Sequence, residues 1–341
     1  MIKIGLIGVG IMGSVHNACF VALSGMTDVK VTAIADASAE RLAEAAKMWP
    51  DAETYSSGME LLEKAHINTA DICLPTYLHA EHAIVAMEKG YHVFLEKPVC
   101  LKADDMEELL KVEEKTGAKV MVGQVLRMSD EYIYLKELYD SKKYGKMRSI
   151  VMNRLSPKPK WGWENWFHQI DKSGSIVVDL HIHDADFIRY LIGEPKAFYS
   201  AAVKNKDGIP EQVTTTYFYD DCVAIAEGGW DYPDGFAFNV GYRACFETAT
   251  VVFNNLFSPS LVVYPVDASS FEPALKKEFE SEDTTLIGNI TSLGAYFTEL
   301  KYFVEHLIED KPLTVAPLSE GIESVKLVLK ELEFVMDSKG E

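Results

Sequence analysis

Ile2-Lys3-Ile4-Gly5-Leu6-Ile7-Gly8-Val9-Gly10-Ile11-Met12-Gly13 is a strand-like apolar run that breaks at glycines and passes into a helical pattern. A strand buried on both faces reads as a continuous apolar run, and glycines at its exit let backbone amides and the positive end of a helix approach a pyrophosphate. Gly8, Gly10, Ile11, Met12 and Gly13 are therefore candidate cofactor contacts. Four more apolar runs follow, Val29 to Ala35, Ala70 to Leu74, Tyr91 to Leu95 and Lys119 to Val122. Between them, residues 38–49, 78–89 and 101–117 carry apolar residues at three- and four-residue spacing, with Ser38 placed as an N-cap and Gly90 as a stop. The alternation predicts β-α-β units in a doubly wound parallel sheet over residues 1–123. Asp36 ends the second run, at the distance from the glycines expected of an acid that hydrogen-bonds an adenosine ribose. A carboxylate there repels a 2′-phosphate and favours NAD, while the nearby Arg41 leaves NADP open.

The chain has 341 residues, enough for two domains with substantial cores. After a helix over 131–141 the pattern turns β-like at Ser149 to Leu155, and a loop rich in Pro, Lys and Trp follows. One helix is expected over 175–192. Strands are expected at 213–219, 223–230, 236–242, 248–253 and 261–264, and helices at 292–309 and 319–338. Residues 124–341 thus read as an α/β domain with a large open, mainly antiparallel sheet, a domain for substrate and oligomerisation whose last helices return to the first domain. One face of such a sheet needs cover, which predicts a homodimer or homotetramer.

Lys and Arg number 33 against 52 for Asp and Glu, a formal charge of −19 that repels nucleic acid and anionic membrane surfaces. The five cysteines show no Cys-x-x-Cys spacing, so they read as reduced thiols of a cytoplasmic protein. The first apolar run is too short and too broken by glycine for a secretory or membrane segment.

Four constellations carry chemistry. Leu74-Pro75-Thr76 follows a strand at its carboxyl end, where ligands gather in such sheets, and His79 opens the next helix; His79 fits a cofactor contact and a simple helix-start residue equally. Glu96-Lys97-Pro98 follows another strand; there an ammonium can hold the oxygen being oxidised or reduced and stabilise charge on it. In Ser173-Gly174-Ser175-x-x-x-Asp179-x-x-x-His183-Asp184, a helix opened by Ser175 sets Asp179 and His183 on one face, and the carboxylate orients the imidazole as an acid/base group. His181-x-His183 with Asp184 also has the look of a metal hydrolase set, but residues two apart on a helix diverge by about 200°. His79-x-x-His82 lacks a third ligand, so no metal is expected. Trp161, Trp163 and Trp166 crowd a loop with Lys158, Lys160 and His168, a composition that suits a sugar ring and suits packing or an interface equally.

Together, Gly8-x-Gly10-x-x-Gly13, Asp36, Pro75-Thr76-x-x-His79, Glu96-Lys97-Pro98, Gly145-Lys146 and Asp179-x-x-x-His183 resemble the Gfo/Idh/MocA family of glucose-fructose oxidoreductase and inositol dehydrogenase relatives, over nearly the whole chain. The resemblance implies a Rossmann domain, an α/β domain with an open sheet, and NAD(P)-dependent oxidation or reduction of a ring hydroxyl. It also implies a reaction centre of Lys97, Asp179 and His183. Two departures bear on the substrate: Ser173-Gly174-Ser175 stands where members carry two or three glycines, and Leu126-Arg127-Met128 where Arg-Arg-Phe is common. Gln124 and Glu96 join the candidate cofactor contacts, and Arg127, Arg154, Trp161, Trp166 and Asp184 the candidate substrate contacts. The expected activity is hydride transfer with a secondary alcohol carbon of a cyclic sugar, sugar acid or inositol. A non-catalytic sensor of the same fold is the alternative, and a metal hydrolase the remote one.

Overall fold

The computed structural model describes residues 1–276 and 293–337, which fall into two compact units, 1–128 with 293–322 and 129–276 with 323–337. In the first unit, β1 (Ile2–Ile7), β2 (Val29–Ala35), β3 (Glu53–Tyr55), β4 (Thr69–Ile72), β5 (His92–Leu95) and β6 (Val120–Val122) form one sheet in the order β3-β2-β1-β4-β5-β6. All of its neighbours pair in parallel. The connections carry α1 (Ile11–Ser24), α2 (Ala39–Ala46), α3 (Gly58–Lys64), α4 (His79–Glu88) and α5 (Ala103–Thr116). Strand order reverses between β1 and β4, which opens a crevice at their carboxyl ends.

Sequence and structure agree closely in this unit. β1 and β2 have the expected bounds, Ser38 accepts the Arg41 N–H at 3.4 Å at the start of α2, and Gly117 closes α5 at φ 68°. The strand β3 and the helix α3 were not expected, because Glu53-Thr54-Tyr55 is a three-residue edge strand with no apolar run to announce it. Chain from far downstream completes the core: Phe297, Leu300 and Phe303 of α10 (Gly294–Ile308) are buried against Ile4, Leu6, Phe20 and Ile34, and Phe303 meets Phe94 edge to face at 5.4 Å. Each such side chain contributes about 1.5–3 kcal/mol by leaving water. Helix α10 begins two residues after the expected start at 292, a position outside the described residues.

The second unit holds α6 (Asp130–Ser141), β7 (Met147–Pro157), α7 (Ile170–Ser173), α8 (Ser175–Asp179), α9 (Ile182–Ile192), β8 (Ala197–Lys204), β9 (Pro210–Phe218), β10 (Val223–Tyr232), β11 (Asn239–Phe246), β12 (Ala249–Asn254) and β13 (Leu261–Pro265). It also takes α11 (Leu318–Asp337) from residue 323 on; the expected end of that helix at 338 lies outside the described residues. The sheet order is β13-β12-β11-β7-β10-β9-β8. Every pair is antiparallel except β7 with β10, so the sheet is mixed and mainly antiparallel. Alternation sorts its faces: Val213, Thr215 and Tyr217 of β9 are buried, while Phe218, Tyr199 of β8 and Tyr264 of β13 remain 43 %, 60 % and 49 % exposed. The edge strand β8 was not expected, since its alanines blur the alternation.

One expectation fails here. Residues 175–192 are not one helix: α8 stops at Asp179, the His181 N–H reaches back five residues to the Ile176 carbonyl, and the next bonds, from His183 and Asp184, span only three. Asp179 and His183 therefore lie on two helices, not one above the other on a single face. The widened turn delivers the His181 ring into the core. Among the described residues no helix is long and apolar enough to cross a membrane.

Candidate active site

The glycine turn is shaped by contacts that only glycine tolerates. Gly8 sits at φ 86°, where a Cβ would come within 2.7 Å of the Cys73 carbonyl oxygen, and a Cβ on Gly13 would stand 1.8 Å from the Gly8 carbonyl oxygen. A Cβ on Gly10, the N-cap of α1, would meet nothing within 4 Å, so the first turn of a fourteen-residue helix presents its free amides to an open side. Ile11 and Met12 follow as the first helical residues. Asp36, at the end of β2, accepts the Val9 N–H at 2.8 Å and the Ser38 N–H at 2.7 Å, and Arg41 pairs with its Oδ1 at 3.0 Å. The acid is thus fastened to the glycine turn itself.

Along the same carboxyl edge, Leu74, Pro75 and Thr76 leave β4, Glu96 and Lys97 leave β5, and Gln124 leaves β6. Thr76 and Gln124 are 1 % and 2 % exposed, and neither the Thr76 hydroxyl nor the Gln124 amide has a hydrogen-bond partner among the described residues. Buried polar groups of this kind normally meet a ligand or water, so the edge fits a polar coenzyme. His79 is also buried. Its ring nitrogens lie 2.7 Å from the Pro98 carbonyl and 2.7 Å from the Leu74 carbonyl, between the turn after Lys97 and the exit of β4, and burial holds its pKa below the ordinary value, so the neutral ring donates its single N–H to one of the two carbonyls. Glu96 is 5 % exposed and accepts the Lys97 backbone N–H at 3.0 Å. Arg127, 3 % exposed, donates to the Val315 carbonyl and pairs with Glu320 at 3.5 Å.

In the second unit, Asp179 closes α8 at 8 % exposure and half-buried His183 lies in the first turn of α9. Arg154 of β7 grips Asp184 through two bonds of 3.1 Å, both side chains nearly or wholly buried. Such a fork holds α9 to the sheet. Trp161 is 44 % exposed and edge-on to Phe167, and Trp166 stacks on Phe167 at 4.1 Å, on a turn where Glu164 and Asn165 adopt positive φ.

The hydrolase arrangement is not assembled, for His181 and Asp184 face partners of their own. His181 Nε2 lies 3.0 Å from Glu331 of α11, which also accepts from Thr215 and Tyr217 at 2.8 Å each. Among the described residues the groups close enough to share a metal ion are His16/Asp71/Cys73 and His16/Glu96/Glu299, and neither contains His183. These buried ionisable residues were missed in the sequence. The available signals were His16 three residues past the last glycine and Asp71 inside an apolar strand; nothing marked Glu299 or Glu331. Because Glu331 serves three buried groups, Glu331→Leu removes their shared partner, leaving Thr215 with Ser200 and Tyr217 with His181, and about 3 kcal/mol of stability should be lost. Chemical denaturation checks this, and an unchanged midpoint would contradict it.

Comparison with known proteins agrees with this architecture. Residues 2–124 match the family model described as oxidoreductase family, NAD-binding Rossmann fold, and residues 132–252 match the GFO/IDH/MocA C-terminal domain. The inositol 2-dehydrogenase of Rhizobium meliloti is 31% identical over 201 residues, 57% of this chain and 56% of that protein, and the myo-inositol 2-dehydrogenase of Thermotoga maritima is 29% identical over 192 residues, 56% and 55%. The chain spans about half the length of these curated relatives. The scyllo-inositol 2-dehydrogenase (NADP(+)) of Bacillus subtilis is 23% identical across 100% of this chain and 94% of its own. A levoglucosan dehydrogenase solved with NADH and levoglucosan shares the fold, with a TM-score of 0.82 at 20% identity over 98% of this chain and 97% of that one. From the glycine turn through the mixed sheet, the chain belongs to the GFO/IDH/MocA family of oxidoreductases.

Proposed function

We propose that the protein is an NAD(P)-dependent dehydrogenase that moves a hydride between the nicotinamide and a secondary alcohol carbon of a cyclic sugar, sugar acid or inositol. The observation that carries this reading is the alignment of parts along one carboxyl edge: a phosphate turn, a ribose acid, two orphaned polar groups and a lysine, all leaving successive strands of a single parallel sheet. Gly8 to Gly13 take the pyrophosphate and Asp36 the adenosine ribose. Leu74, Pro75, Thr76, Glu96 and Gln124 line the nicotinamide half, with His79 bracing them. When bound, the coenzyme accepts or supplies the hydride.

In this reading His183 takes the hydroxyl proton as general base, Asp179 orients the imidazole across the break between α8 and α9, and Lys97 holds the reacting oxygen as charge develops on it. Trp161 and Trp166 offer faces to the ring, while Arg127, Arg154 and Asp184 act on the substrate through the elements they fasten. The named relatives, inositol and levoglucosan dehydrogenases, support a polyol or anhydrosugar substrate. All five cysteines are free thiols, which suits a cytoplasmic enzyme. A second subunit covers the exposed aromatic face of the mixed sheet, giving a homodimer or homotetramer.

NAD is the preferred coenzyme, with Arg41 giving NADP a foothold. Arg41→Ala should weaken NADP binding about tenfold, the loss of one charge-assisted contact, and leave NAD binding unchanged or tighter. Titration calorimetry with both coenzymes decides it; equal losses for the two would remove Arg41 from any role in the choice. The function itself is tested by the near-ultraviolet absorbance of reduced coenzyme across a panel of inositols, aldoses and anhydrosugars. A rise with at least one supports the reading; no turnover by a protein that still binds NAD would mark a sensor.

A further inference from the structure

Beneath the coenzyme edge of the first unit lies a dry cluster of ionisable groups that the proposed reaction does not use. His16 of α1 is fully buried, with Nδ1 2.9 Å from Asp71 of β4 and Nε2 3.2 Å from Glu96 at the exit of β5. Burial opposes the charge of this imidazole, yet the neighbouring Asp71 carboxylate raises its pKa well above the ordinary value. The imidazolium is hydrogen-bonded to Asp71 and lies at ion-pair distance from Glu96 without a hydrogen bond to it. A third carboxyl group faces them: Glu299 of α10 is 0 % exposed, and one of its oxygens lies within 4.8 Å of both Glu96 and His16. Neither Glu299 oxygen accepts a hydrogen bond from any described residue.

A carboxylate with no hydrogen-bond donor, in a buried site already holding two others against a single cation, has little to stabilise its charge. Burial and the Glu96 charge push the Glu299 pKa well upward, with His16 acting the other way and Asp71 adding to the rise. The other titratable groups around it are Cys19 of α1 and Cys73 after β4, whose own pKa values burial raises, so neither supplies charge near neutrality. A neutral acid must still place its proton. Glu96, within 4.8 Å, is an acceptor in reach, and one of its oxygens already receives the Lys97 N–H.

We propose that Glu299 is a positioning residue for Lys97: a neutral carboxylic acid that gives its O–H to the Glu96 carboxylate and so fixes the turn on which Lys97 stands. This rests on the role of Lys97 proposed above. His16 lies at ion-pair distance from Glu96, and a further bond from Glu299 would hold the carboxylate in the orientation that accepts the Lys97 N–H.

The test compares Glu299→Gln, which keeps a neutral donor, with Glu299→Leu, which keeps only bulk. The Gln variant should retain kcat within about threefold, while the Leu variant loses about tenfold or more, with the KM for NAD unchanged in both, as a displaced catalytic group predicts. Equal losses in the two overturn the proposal, since a carboxylate charge, including one that ligates a cation, would then be what the turn uses. A second readout does not depend on Lys97. A carboxyl group whose pKa is raised on folding binds its proton more tightly in the native state, so stability falls as pH rises from the unfolded carboxyl pKa of about 4.3 towards the folded value. Against the wild type, Glu299→Gln should therefore gain stability steadily across that window, approaching tenfold in the folding equilibrium per pH unit. A flat difference means that Glu299 is ionised, and the proposal falls. If the Gln variant does not fold, the infrared carbonyl band of a protonated acid in the dry core of the wild type at neutral pH decides, and its absence counts against the proposal. Should Lys97→Ala leave turnover untouched while the stability slope appears, the reading of Lys97 fails and the protonation of Glu299 stands.

Discussion

Lys97→Ala should lower kcat by about 10²- to 10³-fold, the usual loss when one preorganised donor to a developing oxyanion is removed, with the Kd for NAD nearly intact. His183→Ala should cost about 10²- to 10⁴-fold, the range for a positioned general base, and should also remove the acidic limb of the pH–rate profile. The two variants separate the roles. In the proposed mechanism Lys97 acts on the oxygen in the transition state, so its loss should fall on kcat and kcat/KM together, whereas the coenzyme is proposed to be held mainly by the glycine turn and by Asp36, 2.8 Å from the Val9 N–H. Stopped-flow measurement of NADH formation, with calorimetric titration of NAD, gives both quantities. Turnover unchanged in either variant would remove that residue from the reaction.

Gly13→Ala is the second substitution with a large expected effect. The added methyl would stand 1.8 Å from the Gly8 carbonyl oxygen and 2.8 Å from its carbon, and both are backbone atoms that cannot rotate away. Gly8 cannot retreat cheaply either, because a neighbouring backbone carbonyl, that of Cys73, crowds it from the other side. The turn must open, so NAD binding should be lost and the first unit destabilised by about 3 kcal/mol or more, the scale of overpacking against a fixed wall. Scanning calorimetry should show a lower melting temperature for that unit. Gly10→Ala is the control for stability, since its methyl meets no protein atom within 4 Å. Equal melting temperatures of the two variants would contradict the packing argument.

Much of this molecule is legible in the sequence because its first sheet is buried on both faces. Runs such as Ile2 to Ile7 and Val29 to Ala35 are apolar except near their starts, at Lys3, Lys30 and Thr32, so their bounds can be read directly, and Asp36 stands out as the charge that ends one. The edge strands β3 and β8 were invisible for the opposite reason: a strand paired on one side only, with exposed or alanine-rich faces, needs no apolar period. The break before His181 was hidden for a third reason. Its cause is tertiary, the pull of Glu331, 150 residues away, on a ring that local spacing assigns to a regular helix. The buried acids beneath the coenzyme edge share this origin, for Glu299 differs in no local way from the exposed glutamates of amphipathic helices. Spacing marked Lys97 and His183 separately. Their proposed joint role came from the resemblance.

Hydride transfer from carbon is the central claim, and isotope tracing addresses it most directly. The protein is incubated with NAD and a polyol substrate carrying deuterium on its carbinol carbons, and the coenzyme is recovered for mass spectrometry. The account predicts one deuterium on the reduced nicotinamide and a slower turnover than with the unlabelled polyol. Reduced coenzyme without label, or label released to solvent while the coenzyme stays oxidised, would contradict it.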